Sequence, residues 1–288
     1  MRLKDIQDIF HKELDAIYGR EEVDAFFYLL IESYFNVPRF HLALHPELSI
    51  TKEEQTPIFN ALHELKQEKP IQYIIGATEF YGLNFKVNPN VLIPRPETEE
   101  LVDLILKNYK ATEHLKILDV GTGSGCIAVA LGKQINNAEV FAVDISGEAI
   151  KIAKENALAN GVNVSFVNTD ILDVNKRNSW FAGITFDIIV SNPPYVRELE
   201  KKEMKANVLN NEPETALFVD DSNPLVFYDA ICEFAINKLN TNGQLYFEIN
   251  QYLGPEMKAL VDNYHFNDVR LKKDLAGNDR FVYGRFPN

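Results

Sequence analysis

Cysteine and tryptophan are nearly missing from this 288-residue sequence: Cys126, Cys232 and Trp180 are all it has of either. Two cysteines at that spacing make neither a zinc ribbon, a redox pair nor a disulfide framework, so free buried thiols in a reducing compartment are expected. Long apolar runs are missing too. Nothing approaches the ~20 residues of a membrane span, and the opening stretch MRLKDIQDIFHKELD lacks an apolar core of signal-peptide length, so a cytoplasmic chain without a membrane partner is expected. Positive charge is in short supply: 29 Lys and Arg stand against 42 Asp and Glu, a net charge of −13. Overall attraction to a phosphate backbone is therefore not built in, and no stable nucleic-acid partner is expected. His41 and His45 have the i, i+4 spacing of metal ligands, but no carboxylate or cysteine signature completes a site, so no metal is expected. There is no internal repeat or low-complexity segment.

What the chain has is an ordinary globular composition, 46% hydrophobic and 25% charged, at a length suited to one large domain and one small one. Residues 1–70 carry a helical period, with Ile6, Ile9, Phe10, Leu14 and Ile17 three or four apart and the same habit from Val23 to Phe35. Thr51 with Glu54 reads as a capping box. This segment is expected to be a small helical domain. Over residues 71–93, β-branched and aromatic residues punctuated by Gly76, Gly82 and Asn88-Pro89 predict a β-hairpin linker. From residue 94 to 288 strand and helix patterns alternate. Seven strand-like runs, KILDV, EVFAVD, VSFVNTD, FDIIVSN, QLYFEI, FNDVRLK and RFVYGRF, predict an α/β fold with a mostly parallel sheet and crossover helices, the last two runs pairing antiparallel.

The first strand, KILDV, runs into Gly121-Thr122-Gly123-Ser124-Gly125 where a helix begins, the place at which open α/β sheets bind ligands. The third glycine arrives one position early for the dinucleotide fingerprint, and no Lys-Ser/Thr pair follows to make a phosphate cradle. Asp144 closes the next strand, where its carboxylate can accept both hydroxyl hydrogens of a ribose. Asp170 ends the third, where it can accept from an adenine amino group while Ile171 packs on the ring. An adenosine-type ligand fits this set.

Directly after the buried strand FDIIV comes Ser191-Asn192-Pro193-Pro194-Tyr195. Two prolines stop the strand and leave a rigid, donor-poor loop at its carboxyl end. A planar amino group is a poor nucleophile because its lone pair is delocalised. Two acceptors, the Asn192 side-chain oxygen and the Pro193 carbonyl, can each take one N–H and aim the lone pair at an electrophilic methyl group, with the Tyr195 ring covering the planar face. Asn192, Pro193 and Tyr195 are thus the catalytic candidates, and with Pro194 the substrate-binding ones. Asn192 also borders the cofactor site.

Together these residues resemble the release factor glutamine methyltransferase family, also called HemK or PrmC, over nearly the whole chain. Asp119 to Gly125 is similar to its S-adenosylmethionine loop, and Asn192 to Tyr195 to its acceptor tetrapeptide. Ile93-Pro94-Arg95-Pro96-Glu97-Thr98-Glu99, Glu212-Pro213 with Ala216-Leu217, and Asp274 to Arg280 look like further family segments. The resemblance implies a Rossmann-like methyltransferase domain, S-adenosylmethionine as cofactor, and an N-terminal domain that helps recognise a peptide-chain release factor whose Gly-Gly-Gln glutamine is the acceptor. Gly121, Thr122, Gly123, Ser124, Gly125, Asp144, Asp170, Ile171 and Asn192 are the cofactor-binding set. Ile171 stands where an aromatic side chain is common, and Asn250 where glycine is common. A ribosomal-protein glutamine methyltransferase, an adenine-N6 methyltransferase and a noncatalytic cofactor-binding scaffold are the alternatives.

Overall fold

The computed structural model describes residues 1–109 and 114–287. Two compact units divide the chain: Met1–Gly76 with Lys205–Asn211, and Ala77–Met204 with the residues from Glu212 onward.

The first unit is helical, built from α1 (Leu3–Tyr18), α2 (Arg20–Phe35), α3 (Arg39–Leu44), α4 (Lys52–Leu65) and α5 (Ile71–Ile75). Leu3, Ile6, Phe10 and Leu14 of α1 recur at three or four residues, so one stripe is buried, and it meets Val23, Phe27, Leu30 and Ile31 of α2. Phe10 and Phe27 pack edge to face at 5.5 Å. Thr51 forms its capping box: Glu54 N–H donates to Thr51 Oγ1 at 3.2 Å and Thr51 N–H to Glu54 Oε2 at 2.8 Å. The segment expected as a hairpin from residue 71 differs at its start. Ile71–Ile75 is a helical turn, because the Pro70 carbonyl accepts from Tyr73 N–H at 3.0 Å and Ile74 N–H at 3.2 Å while Ile71 and Tyr73 are buried. Burial overrides the β preference of that isoleucine-rich run. The hairpin itself is β1 (Ala77–Phe80) and β2 (Leu83–Lys86), and it belongs to the second unit.

The second unit continues with α6 (Pro96–Asn108), β3 (Lys116–Val120), α7 (Cys126–Gln134), β4 (Glu139–Asp144), α8 (Gly147–Ala159), β5 (Val164–Asn168), α9 (Val174–Trp180), β6 (Phe186–Ser191) and β7 (Val196–Arg197). The short helix α10 (Ala206–Leu209) lies in the segment assigned to the helical unit. After it come α11 (Glu214–Leu217), β8 (Phe218–Val219), α12 (Val226–Lys238), β9 (Leu239–Glu248), α13 (Gly254–Asn263), β10 (Asn267–Lys273) and β11 (Asp279–Arg285).

Seven of these strands form one sheet in the order β10-β11-β9-β6-β3-β4-β5, parallel from β9 to β5 and antiparallel where β11 joins β9 and β10. Both faces of its centre are buried. Leu118, Val120 and Ile189 point to the side covered by Tyr228, Ile231 and Phe234 of α12, and Ile117, Ile188 and Val190 to the side covered by α6 and α7. Each fully buried leucine or isoleucine contributes about 2 kcal/mol by leaving water. From β3 the chain proceeds outward through β4 and β5, then returns to place β6 on the other flank of β3. The connections diverge there, which opens a crevice at the carboxyl ends of β3 and β6.

Candidate active site

At that crevice lies a cavity of about 350 Å³, lined by the ends of β3, β4, β5 and β6 and by the segments around Asn90–Leu92 and Pro213–Phe218.

Gly121, Gly123 and Gly125 have φ of 74°, 54° and 83°, a left-handed backbone that suits glycine. A Cβ on Gly121 or Gly123 would meet no protein atom within 4 Å, which leaves room for a ligand against the backbone. One on Gly125 would come within 3.0 Å of Ala153 Cβ, so this glycine serves the packing of the loop on α8. Asp119 holds the turn from behind: Oδ2 accepts from Thr122 Oγ1 at 2.6 Å and from Ala128 N–H at 3.2 Å. Its Oδ1 is buried without a hydrogen-bond partner, and burial pushes the carboxyl up to about 7. Asn156, itself buried, donates to Ser124 O at 2.8 Å and to Lys86 O at 3.0 Å, joining the loop to the hairpin.

Asp144 accepts from Gly123 N–H through Oδ2 and from Ser146 N–H through Oδ1, each at 2.9 Å, and burial raises its pKa. A carboxylate has about four lone-pair directions, so two backbone bonds leave capacity for two hydroxyls. Asp170 Oδ1 accepts from Leu172 N–H at 2.8 Å. Ile145, 63% exposed, and Leu172, 39% exposed, join Ile171 in the lining and give the cavity an apolar side suited to a flat ring. An acidic strand end, open glycines and apolar side chains together fit an adenosine-type group.

Across the cavity, Ser191 Oγ donates to Val120 O at 2.6 Å and holds β6 against β3 as the tetrapeptide begins. Asn192 Nδ2 donates to Thr98 Oγ1 at 3.3 Å, Thr98 Oγ1 to Glu248 Oε2 at 2.7 Å, and Tyr195 OH to Glu248 Oε1 at 3.3 Å. Glu248 is buried, which pushes it up to about 7 against the hydrogen bond from Thr98 and the charge of Arg280. Asn250 donates to Tyr195 O at 3.0 Å and to Glu200 Oε2 at 2.8 Å, so the side chain that departs from the family pattern secures the far end of the tetrapeptide. Glu212, fully buried, accepts from Arg95 and from Ile93 N–H, tying Ile93–Arg95 to the segment that continues through Pro213.

Of the expected residues, Gly121, Gly123, Asp144, Asp170, Ile171, Asn192, Pro193 and Pro194 come together around the cavity. Thr122, Ser124 and Gly125 stand behind the loop and shape it. Tyr195 is turned away from the lining, its ring against the core and its hydroxyl on Glu248. Sequence reasoning passed over Ile145, Leu172 and Phe227, which also line the cavity. For the first two a signal existed, since an apolar residue beside each strand-end acid has no core to enter.

A parallel sheet with this switch point, a glycine loop backed by Asp119 and an acid ending the next strand fit an S-adenosylmethionine-dependent methyltransferase, the class whose small-domain model matches this part of the chain. Models of two families match: the methyltransferase small domain over residues 98–219 and the PrmC N-terminal domain over residues 8–76. The release factor glutamine methyltransferase of Flavobacterium psychrophilum is 48% identical over 99% of this chain and 100% of its own. That of Bacteroides thetaiotaomicron is 44% identical over 94% and 95%. A methyltransferase from Pyrococcus furiosus, 18% identical, shares the fold with a TM-score of 0.51 over 83% of this chain and 100% of that one. The chain belongs to the release factor glutamine methyltransferase family. Among the described residues no helix is long and apolar enough to cross a membrane, and no cluster of His, Cys, Asp or Glu could hold a metal ion.

Proposed function

We propose that this enzyme transfers the methyl group of S-adenosylmethionine to the side-chain amide nitrogen of the glutamine in the Gly-Gly-Gln motif of a peptide-chain release factor, in the cytoplasm. The observation that carries this reading is that the glycine loop and Asn192-Pro193-Pro194 line one cavity, so a cofactor and a planar amide can meet there. The names of the F. psychrophilum and B. thetaiotaomicron relatives supply the acceptor.

When bound, S-adenosylmethionine supplies a methyl group made electrophilic by its sulfonium. Gly121 and Gly123 leave space for it, with Thr122, Ser124 and Gly125 shaping the loop. Asp144 would take the ribose hydroxyls, and Asp170 with Ile171 and Ile145 would take the adenine. The Asn192 side-chain oxygen and the Pro193 carbonyl would accept hydrogen bonds from the two N–H groups of the glutamine amide and orient its nitrogen, which gives up one of those protons on methylation, toward the space beside Gly121 and Gly123. Pro194 stiffens this wall. Tyr195, with its hydroxyl on Glu248, shapes the wall from behind rather than covering the acceptor. The helical unit, which the PrmC N-terminal model matches, serves to recognise the release factor.

The test is transfer of a labelled methyl group to purified release factor, to its Gln→Ala form, to ribosomal protein and to adenine-containing DNA. Label on the intact release factor alone is expected. Label on DNA or ribosomal protein instead would replace the acceptor, and none on any, despite cofactor binding, would leave a noncatalytic binder.

A further inference from the structure

We propose that Thr98 and Glu248 are positioning residues that fix which way the Asn192 carboxamide faces, an inference that rests on the glutamine-methylation reading above. The three residues lie far apart in the chain, on α6, at the end of β9 and after β6, and meet behind the acceptor wall. Thr98 and Glu248 are 2% and 1% exposed, so water does not replace their hydrogen bonds.

The orientation follows from counting hydrogens. Above about pH 7 the Glu248 carboxylate is ionised and has none, so there the single hydroxyl hydrogen of Thr98 is committed to Glu248 Oε2 at 2.7 Å. Thr98 Oγ1 then faces Asn192 with lone pairs only. Had the carboxamide the opposite sense, its oxygen would abut another acceptor. The amide nitrogen therefore takes the Thr98 side at 3.3 Å, and Oδ1 is left on the other arm of the planar group. That arm is the one needed to accept an N–H from a glutamine amide. Glu248 also accepts from Tyr195, so one carboxylate is linked to both ends of the tetrapeptide, to Tyr195 directly and to Asn192 through Thr98.

Two family segments acquire a physical role here. Thr98 belongs to the Ile93–Glu99 segment, and Arg280, whose charge favours the ionised form of Glu248, is held by Asp274 at 3.0 Å. Glu97 opposes that ionisation.

The test compares Thr98→Val, which keeps the shape and removes the hydroxyl, with Thr98→Ser, which keeps the hydroxyl. Assays run at about pH 8.5, above the value of about 7 for Glu248. The valine variant should lose about 10-fold or more in kcat, with cofactor affinity unchanged and the serine variant within about 3-fold of the parent. In an Asn192→Ala background, Thr98→Val should cost nothing further, because the group it orients is gone. A parental kcat for Thr98→Val, or an undiminished loss in the Asn192→Ala background, would overturn the proposal. The side-chain NH₂ resonances of Asn192 give a readout independent of turnover: slowed exchange in the parent should be lost in Thr98→Val and kept in Thr98→Ser. That pattern in a chain that methylates no glutamine would sink the functional reading and leave the positioning intact; resonances identical in all three would sink the positioning.

Discussion

The glycine loop on the proposed cofactor wall of the cavity is held mostly by backbone, and the parts that hold it are two neighbouring strand ends. Gly121 and Thr122 N–H donate to Val143 O, and Gly123 N–H to Asp144, all within two consecutive strand ends. The proposed acceptor wall is held by side chains drawn from the length of the unit: Thr98 holds Asn192, Glu248 and Asn250 hold Tyr195, and Glu200 holds Asn250, while Arg95 and Glu212 close the neighbouring segment. A ligand shared by many enzymes can be met by a loop that two strands suffice to build. An acceptor amide that must be turned to a particular angle calls for a wall fixed from several directions.

The two walls nonetheless share one device, a buried acid behind each loop, and this makes the largest stability effect. Asp119 and Glu248 are both raised to about 7 by burial, from ordinary values of 3.8 and 4.5. Between those limits the folded chain keeps protons that the unfolded chain has released, so stability falls as pH rises from about 4.5 to 7. The loss is on the order of a few kcal/mol across that window. Carboxyls held low by partners, such as Asp274, which accepts from Asn278 N–H and from Arg280, act in the opposite sense but below that window. Urea midpoints at successive pH values should decline, and Asp119→Asn and Glu248→Gln should each flatten part of the decline. Midpoints level or rising from pH 4.5 to 7 would mean that neither wall is backed by a protonated acid.

A smaller effect separates two glycines within the cofactor wall. Gly125→Ala should cost about 2–4 kcal/mol, combining left-handed backbone strain with a clash against Ala153, whereas Gly121→Ala should cost about 1–2 kcal/mol from strain alone. The Gly121 substitution should instead weaken cofactor binding, because its Cβ enters the cavity. Equal losses of stability would mean that Gly125 is not a packing glycine.

The same contrast explains what could be read from the sequence. The strands up to β6, the glycine loop and the place of Asp144 at a strand end were legible because each is announced by local chemistry: a buried run, left-handed turns, an acid closing an apolar run. Thr98, Glu248 and Asn250 were not, since their roles exist only once partners as far as 150 residues away are brought together. Tyr195 was expected over the acceptor. A buried hydroxyl must find a partner, and Glu248, invisible as a neighbour in the sequence, supplied it. At Ile71–Ile75 a β-rich run became a helical turn because its burial, not its propensity, decided the matter.

One crossed measurement tests the division between the two walls: S-adenosylmethionine affinity by calorimetry and single-turnover methyl transfer to release factor, for Asp144→Ala and Asn192→Ala. Asp144→Ala should weaken cofactor binding by about 10-fold or more and restore most of its rate at saturation. Asn192→Ala should keep the parental affinity and lose about 100-fold or more in rate at saturation. Both variants failing in the same quantity would contradict the account.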